Sequence, residues 1–326
     1  MGVRMMLLAV VHLVCILSTD AAEYDPLGVP DSFQAETLDW TVRDEARSRD
    51  IPIKAYLPAT RTSQPVVLFS HGLGGSREGC SYLGKHWSAR GYVAVFLQHP
   101  GSDDSVWKDT SLLKRMSAMR EAASAENFRL RVQDVSAVLD QLSRWNDLPS
   151  HKLEGRLDLE HVGMSGHSFG AQTTQAVSGQ SAGVFGSRFA EPRIQAAIAL
   201  SPSSPRRGDV AKAFGSVKIP WLVMTGTQDK AMIGNQTVAS RLEVFPALPP
   251  GDKFELVLHN AEHSAFGDRR LPGETQTRNS NHHRVVLGLS TAFWDAYLRA
   301  DDSAKQWLVG AGPSGLLQPN DRWQTK

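Results

Sequence analysis

Residues 166–170 read G-H-S-F-G and place Ser168 between two glycines, a G-x-S-x-G pattern that could hold a nucleophile. Residues 159–165 before it favour a short strand, and residues 171–177 after it favour a helix. A sharp strand-to-helix turn strains the serine backbone, and flanking glycines let strand and helix approach closely. The hydroxyl would lie at a helix N-terminus, where negative charge is favoured. The letters alone also fit an ordinary Gly/Ser turn, so the interpretation depends on partners elsewhere in the chain.

A serine hydroxyl is a weak nucleophile at neutral pH and needs a histidine base that a carboxylate orients. In chains with this kind of turn, the acid follows the serine and the histidine comes last. Residues 219–226 form an apolar run of strand length, and Asp229 follows its end. Open parallel sheets place site residues there. Asp229 is therefore the predicted acid, and the alternative is that it caps the next helix.

His263 is the predicted base. It lies in the segment 261–267, which follows a strand expected at 254–260. Its neighbour Glu262 would point to the opposite side of an extended segment, so it is not expected to orient His263. His259 is the rival, but it lies within the strand pattern and is expected to pack or to face solvent. His282 and His283 are expected in the polar first turn of a final helix.

Acyl transfer also needs hydrogen-bond donors for the oxyanion. A strand expected at 65–70 leads into residues 71–75, which read H-G-L-G-G. Such a loop donates one backbone N–H, and the residue after the nucleophile donates the other. We therefore assign the donors to the backbone N–H groups of Leu73 and Phe169, and we expect His71 to shape the loop. The glycines could instead form a flexible or phosphate-binding loop, but they match neither G-x-x-x-x-G-K-[ST] nor G-x-G-x-x-G.

Three segments together give the chain a resemblance to a known group: 70–74 (S-H-G-L-G), 166–170 and 227–229 (T-Q-D). Over roughly residues 36–310, the chain resembles the platelet-activating-factor acetylhydrolase-like and dienelactone-hydrolase-like branch of the α/β hydrolases. The resemblance implies a serine esterase for short or modified acyl groups, with no metal or organic cofactor. It implies three catalytic residues: Ser168 as nucleophile, Asp229 as acid and His263 as base. Dienelactone hydrolases use a cysteine nucleophile, and this chain departs from them in having serine.

Strands that alternate with helices predict an α/β fold with right-handed crossovers. We expect the α/β-hydrolase fold: a mainly parallel sheet flanked by helices, with an N-terminal antiparallel hairpin formed by 37–43 and 51–57. The expected organisation is a signal peptide at 1–22, an irregular lead-in at 23–35, a catalytic domain at 36–310 and a loose Gly/Pro-rich C-terminal tail at 311–326.

Residues 105–127 are expected to be mostly helical, where this fold can carry a cap over the site. This segment carries Trp107, Met116 and Met119. A stripe of this kind fits either a cap or ordinary core. Just before it, His99 with Asp103 and Asp104 could suggest a metal site. No second histidine stands at ligand spacing, so roles in the site wall or in loop capping are favoured and no metal is predicted.

The net charge and its distribution limit the kinds of partner that the chain is expected to bind. The 326 residues carry 35 Lys and Arg against 34 Asp and Glu, a net charge of +1 that is spread along the chain. This balance leaves no electrostatic footprint for nucleic acid. The expected partner is a small-molecule ester.

The N-terminus predicts export. A basic residue precedes an apolar core at 5–17, and small residues follow, as in a cleaved signal peptide. The core is too short for a stable membrane span, so we expect a secreted or periplasmic mature chain, with an uncleaved anchor as the alternative. Removal of Cys15 would leave Cys80 without a disulfide partner. Asn235 begins an N-Q-T sequon, which matters only in a host that glycosylates exported proteins.

The sequence thus predicts an exported serine hydrolase of carboxylic esters. One alternative is a peptidase, amidase or acyltransferase, because the same triad serves amides and other acceptors. Another is a non-catalytic binding protein on the same fold. Such a protein would be expected to lack a triad member, whereas candidates for all three are present here.

Overall fold

One sheet runs through the part of the chain that the structure describes, residues 24–30, 32–183 and 186–326 of a computed structural model. Its nine strands in those residues are β1 (Glu36–Asp44), β2 (Arg49–Leu57), β3 (Gln64–Ser70), β4 (Val93–Leu97), β5 (Leu157–His167), β6 (Ile194–Leu200), β7 (Trp221–Gln228), β8 (Lys253–Glu262) and β9 (Arg322–Thr325). Their order across the sheet is β1-β2-β4-β3-β5-β6-β7-β8-β9.

The centre of the sheet is parallel. Strands β4, β3, β5, β6, β7 and β8 pair in parallel, each with the next. Strands β1 and β2 form an antiparallel hairpin, and β2 pairs antiparallel with β4. The carboxyl ends of the parallel strands therefore share one edge, where such sheets carry their sites. The predicted α/β-hydrolase fold with an N-terminal antiparallel hairpin is confirmed.

Helices cover both faces of the sheet. The α-helices of the described residues are α1 (Ser81–Ala89), α2 (Ser105–Lys108), α3 (Leu112–Ala122), α4 (Ala125–Asp147), α5 (Phe169–Val177), α6 (Val210–Phe214), α7 (Val238–Leu242), α8 (Val244–Ala247), α9 (Ser280–Leu298) and α10 (Asp302–Val309). Along β3, Val67 and Phe69 pack in the cluster that contains α1, α9 and α10, whereas Val66 and Leu68 pack in the cluster that contains α4. This alternation buries both faces, which explains the nearly continuous apolar runs of the central strands.

The C-terminal tail was expected to be loose at 311–326, and this prediction is wrong. Strand β9 pairs antiparallel with β8, and Leu316 is buried. Trp323 stacks on Phe254 with ring centroids 5.6 Å apart, and its indole Nε1–H donates to the carbonyl oxygen of Leu308 at 3.2 Å. Leu316 and Trp323 hold the tail against the sheet and helices, although its glycine and proline content predicted a loose end.

The segments before β1 form neither helix nor strand at 24–30 and 32–35. The predicted signal peptide at 1–22 lies outside the described residues. Among the residues described, no helix is both long enough and apolar enough to cross a membrane.

Candidate active site

Ser168 occupies the sharp turn between β5 and α5. Its backbone has φ 58 and ψ −112, a left-handed conformation that L-residues rarely adopt. The two flanking glycines are required at this turn: a Cβ on Gly170 would overlap the Ser70 carbonyl, and a Cβ on Gly166 would overlap the Gly170 carbonyl. The strand-turn-helix geometry expected from the G-x-S-x-G pattern is thus present.

Asp229 and His263 meet Ser168 at the carboxyl edge of the sheet. Asp229 follows β7, and His263 follows β8 and opens a short 3-10 helix, His263–Phe266. His263 Nε2 lies 2.8 Å from Ser168 Oγ, and His263 Nδ1 lies 2.6 Å from Asp229 Oδ1. Because a carboxylate accepts hydrogen bonds, Nδ1 carries the proton and Nε2 is free to accept the serine hydroxyl proton. The structure brings together the three residues that the sequence selects.

The charge of Asp229 is held in a buried environment. Burial alone would raise the pKa of its carboxyl, but His263 and the Arg241 guanidinium lower that pKa well below its ordinary value. The Thr225 hydroxyl also donates to Asp229 Oδ2 at 2.9 Å. The carboxylate therefore stays ionised and can hold the imidazole in one tautomer.

Arg241 is a site residue that the sequence did not indicate. Its Nε donates to the Asp229 carbonyl oxygen at 2.8 Å and lies 3.1 Å from Asp229 Oδ1, and its Nη1 donates to the Ser201 carbonyl oxygen at 2.7 Å. The side chain is 1 % exposed. It comes from the short helix α7, and nothing in its local sequence distinguishes it from a surface arginine.

His167 supports the backbone of the base. Its Nε2–H donates to the His263 carbonyl oxygen at 3.0 Å, and the two imidazole centroids lie 4.7 Å apart. Burial and the neighbouring His263 lower the pKa of His167 to about 3. His167 is therefore neutral at pH 7. The sequence presented it only as a variable position of the motif.

The loop after β3 passes directly beside the nucleophile. A Cβ built on Gly72 would lie 3.4 Å from the Ser168 Cβ. Among the described residues, neither the Leu73 N–H nor the Phe169 N–H donates to a protein acceptor. Both N–H groups expected to bind the oxyanion are therefore available to a substrate. Phe169 also lies at the N-terminus of α5, where negative charge is favoured.

His71 fixes the shape of this loop, as the sequence suggests. Its Nδ1–H donates to the Gly72 carbonyl oxygen at 2.6 Å, and its Nε2 accepts from the His99 N–H at 3.0 Å. Burial and the Arg131 guanidinium lower the pKa of His71 well below its ordinary value. The neutral ring thus ties the loop after β3 to the loop after β4.

A family model named platelet-activating factor acetylhydrolase, isoform II, matches residues 48–141. The match indicates a carboxylic ester hydrolase. It confirms the predicted resemblance to the acetylhydrolase-like branch of the α/β hydrolases. The matched segment runs from β2 into α4, so it contains the loop after β3 and ends before Ser168. No curated protein matches the chain.

In this ester hydrolase, His99 lies beneath the loop rather than in the site wall. His99 Nε2 lies 2.9 Å from Ser70 Oγ, and its Nδ1–H donates to Asp134 Oδ2 at 3.0 Å. All three side chains are fully buried, so no substrate could reach this second Ser–His–Asp chain. Asp103 instead accepts from the Gln98 side chain at 2.7 Å, and Asp104 pairs with Lys108 at the surface. No group of three or more potential metal-ligating side chains occurs in the part of the chain that the structure describes.

Helices α2 and α3 lie against the loop after β3 rather than in the core. Trp107 Nε1–H donates to the Gly74 carbonyl oxygen at 2.7 Å, and the Met119 side chain fills the space where a Cβ on Gly74 would stand. Met116 is exposed, and so are Leu112 and Leu113, at 77 % and 97 %. The core interpretation of this apolar stretch is therefore wrong, because its large side chains either pack on the loop or face outward.

The rival histidines have other contacts. His259 is exposed, and His282 and His283 lie in the first turn of α9 as expected, although His282 is buried. Glu262 accepts from the N–H groups of residues 275 and 276, at 2.7 and 3.0 Å, and among the described residues no hydrogen bond joins it to the His263 imidazole.

Proposed function

We propose that the chain is an exported serine esterase that cleaves small carboxylic esters, with Ser168 as nucleophile, His263 as base and Asp229 as the acid that orients it. One observation carries the proposal: an unbroken hydrogen-bonded chain from Asp229 through His263 to Ser168, with links of 2.6 and 2.8 Å. The chain ends at a hydroxyl on a strained turn beside two unoccupied N–H donors, the arrangement that acyl transfer requires.

In the proposed reaction, Ser168 Oγ attacks the ester carbonyl carbon while His263 Nε2 takes the hydroxyl proton. The carbonyl oxygen becomes an oxyanion and accepts hydrogen bonds from the Leu73 and Phe169 N–H groups. The C–O bond to the alcohol then breaks, and the imidazolium returns its proton to the departing alcohol. Water attacks the acyl-enzyme by the same route in reverse and releases the acid and free Ser168.

Short acyl groups and export are part of the proposal. The matching family is named for removal of an acetyl group, and Trp107 and Met119 occupy the space beside Gly74 next to the oxyanion donors. An apolar run at 5–17, preceded by a basic residue, supports export through a cleaved signal peptide. Fractionation of the producing cells and N-terminal sequencing of the mature chain would test export.

Hydrolysis of p-nitrophenyl esters from acetyl to long-chain acyl tests the chemistry. We expect turnover to be highest on the shortest esters and Ser168→Ala to lose about 10⁴-fold or more in kcat. Ser165→Ala is the matched control, because Ser165 is a buried serine of β5, the strand that leads into Ser168, and its hydroxyl has no partner among the described residues. If the folded wild type hydrolyses p-nitroanilides and not esters, the assigned activity would change from esterase to amidase. Activity that survives Ser168→Ala would overturn the assignment of the nucleophile.

A further inference from the structure

A buried arginine lies directly beneath the oxyanion loop. Arg131 comes from α4 and is 0 % exposed. Its Nη1 donates to the His71 carbonyl oxygen at 2.7 Å and to Ser70 Oγ at 3.3 Å, and its Nε donates to Ser102 Oγ at 2.8 Å. Sequence periodicity places Arg131 beside the apolar side of α4, and it gives no reason to expect a buried charge there.

This guanidinium has no direct counter-charge. No carboxylate of the described residues lies within 4.0 Å of Arg131, and its neighbours there are hydroxyls, backbone carbonyls and the His71 Nδ1 at 3.2 Å. Asp134, a buried acid of the same helix, pairs with Arg47 at 2.9 Å and Arg49 at 2.8 Å, and it accepts from His99. Burial lowers the pKa of Arg131 to about 9, so the side chain is still a cation at pH 7. An unpaired buried cation destabilises the fold, so an anion that interacts with it at some stage is expected.

Arg131 contacts both halves of the oxyanion hole. Its Nη2 lies 3.5 Å from the Gly72 carbonyl oxygen, which belongs to the same peptide group as the Leu73 N–H. A positive group at the oxygen of a peptide polarises the N–H at its other end, because hydrogen bonds in a chain strengthen one another. On the other side, the Arg131 Cζ lies 4.5 Å from the centroid of the Phe169 ring, and Phe169 carries the second donor.

We propose that Arg131 is a positioning residue of the oxyanion hole, which holds the Leu73 and Phe169 donors in place and stabilises the oxyanion through its buried positive charge. This inference rests on the proposed function. The tetrahedral oxyanion is the anion that the unpaired cation favours, and it exists only during the reaction. The charge therefore stabilises the transition state far more than the bound ester. Its removal should lower kcat and leave KM nearly unchanged.

The test compares Arg131→Met, which removes the charge, with Arg131→Lys, which keeps it. For Arg131→Met we expect kcat on p-nitrophenyl acetate to fall about 100-fold with KM within about two-fold. A trifluoromethyl ketone, whose carbonyl adds Ser168 Oγ to form a stable oxyanion, should lose affinity by the same factor. Arg131→Lys should recover about ten-fold of the lost kcat.

The matched control is Arg156→Met. Arg156 is also buried and donates to backbone carbonyls, those of Pro58 at 3.1 Å and Thr60 at 3.2 Å, but it lies away from the site. Its loss should lower the melting temperature and leave kcat within about two-fold of wild type. If Arg131→Met does not fold, Arg131→Gln removes the charge while keeping a donor, and the same result is expected.

Two outcomes would overturn the inference: a folded neutral variant with near wild-type kcat and ketone affinity, or a lysine variant that loses as much kcat as the neutral ones. Either result could occur while Ser168→Ala remains inactive and wild type still binds the ketone. Failure of this inference is therefore distinct from failure of the proposed esterase activity.

Discussion

The base of the site is surrounded by charges of both signs. Arg241 Nη2 lies 3.2 Å from His263 Nδ1, and Asp229 lies on the same side of the ring. His167 is the other titratable group that contacts this imidazole ring. Because Nδ1 donates its proton to Asp229, Arg241 acts on the triad through that carboxylate, whose pKa it lowers together with His263.

Arg241→Met should therefore weaken the acid of the triad. The change removes the hydrogen bonds to the Asp229 and Ser201 carbonyl oxygens and one of the groups that lower the pKa of Asp229, so we expect kcat on p-nitrophenyl acetate to fall about ten-fold. Arg241→Lys retains the cation and should keep most of the wild-type kcat. A folded Arg241→Met variant with wild-type kcat would show that the charge does not act on the triad.

At the residue scale, chain order and strand ends were enough to select Ser168, Asp229 and His263. Each follows a segment whose apolar pattern marks a buried strand, so its position at one edge of the sheet could be predicted. Arg131 and Arg241 could not be found in this way. Their partners are mostly backbone carbonyls and hydroxyls from distant segments, and such contacts leave no pattern around the arginine itself.

At the element scale, α2 connects the outer helices to the oxyanion loop through one hydrogen bond, from Trp107 Nε1–H to the Gly74 carbonyl oxygen. Gly74 has φ +69, and its N–H donates to the Ser102 carbonyl oxygen at 2.9 Å. The loop is thus held from two sides by the segment that follows β4.

Trp107→Phe removes that hydrogen bond and keeps most of the ring. A neutral hydrogen bond contributes about 1 kcal/mol, so we expect kcat on p-nitrophenyl acetate to fall about five-fold with little change in KM. Trp145→Phe is the control, since Trp145 packs against Trp40 and His151 far from the loop. Unchanged kcat in Trp107→Phe would mean that the loop keeps its shape without α2.

The elements that the sequence described least well are those whose position depends on distant partners. The hairpin of β1 and β2 and the central strands were expected within a few residues of their observed bounds, because their periodicity is local. Strand β9 was missed because four residues carry almost no periodic signal, and its place depends on β8 and on the Phe254 ring beneath Trp323. For the same reason, periodicity along α3 could not show that it packs on a loop.

At the scale of the whole molecule, several histidines are held neutral around the site. Burial lowers the pKa of His99 to about 4 and that of His167 to about 3, and burial also lowers the pKa of His71. In the unfolded chain these groups titrate near 6.5, so between about pH 6.5 and 4 the unfolded state binds more protons than the folded state. Their contribution to stability is present above that window and is lost as the pH falls through it.

Well below pH 6.5, each such histidine lowers the free energy of unfolding by about 1.4 kcal/mol for every unit by which the pH falls. The three together therefore lower it by about 4 kcal/mol per unit. We expect the free energy of unfolding, measured by urea denaturation, to fall steeply between pH 6 and 4.5. His99→Gln removes one of these titrations and should reduce the slope by about 1.4 kcal/mol per pH unit. Ser165→Ala, which changes a buried side chain of the same region without removing a titrating group, should leave the slope unchanged. A wild-type slope near zero across this range would contradict the prediction, because the buried rings would then have to accept protons without unfolding.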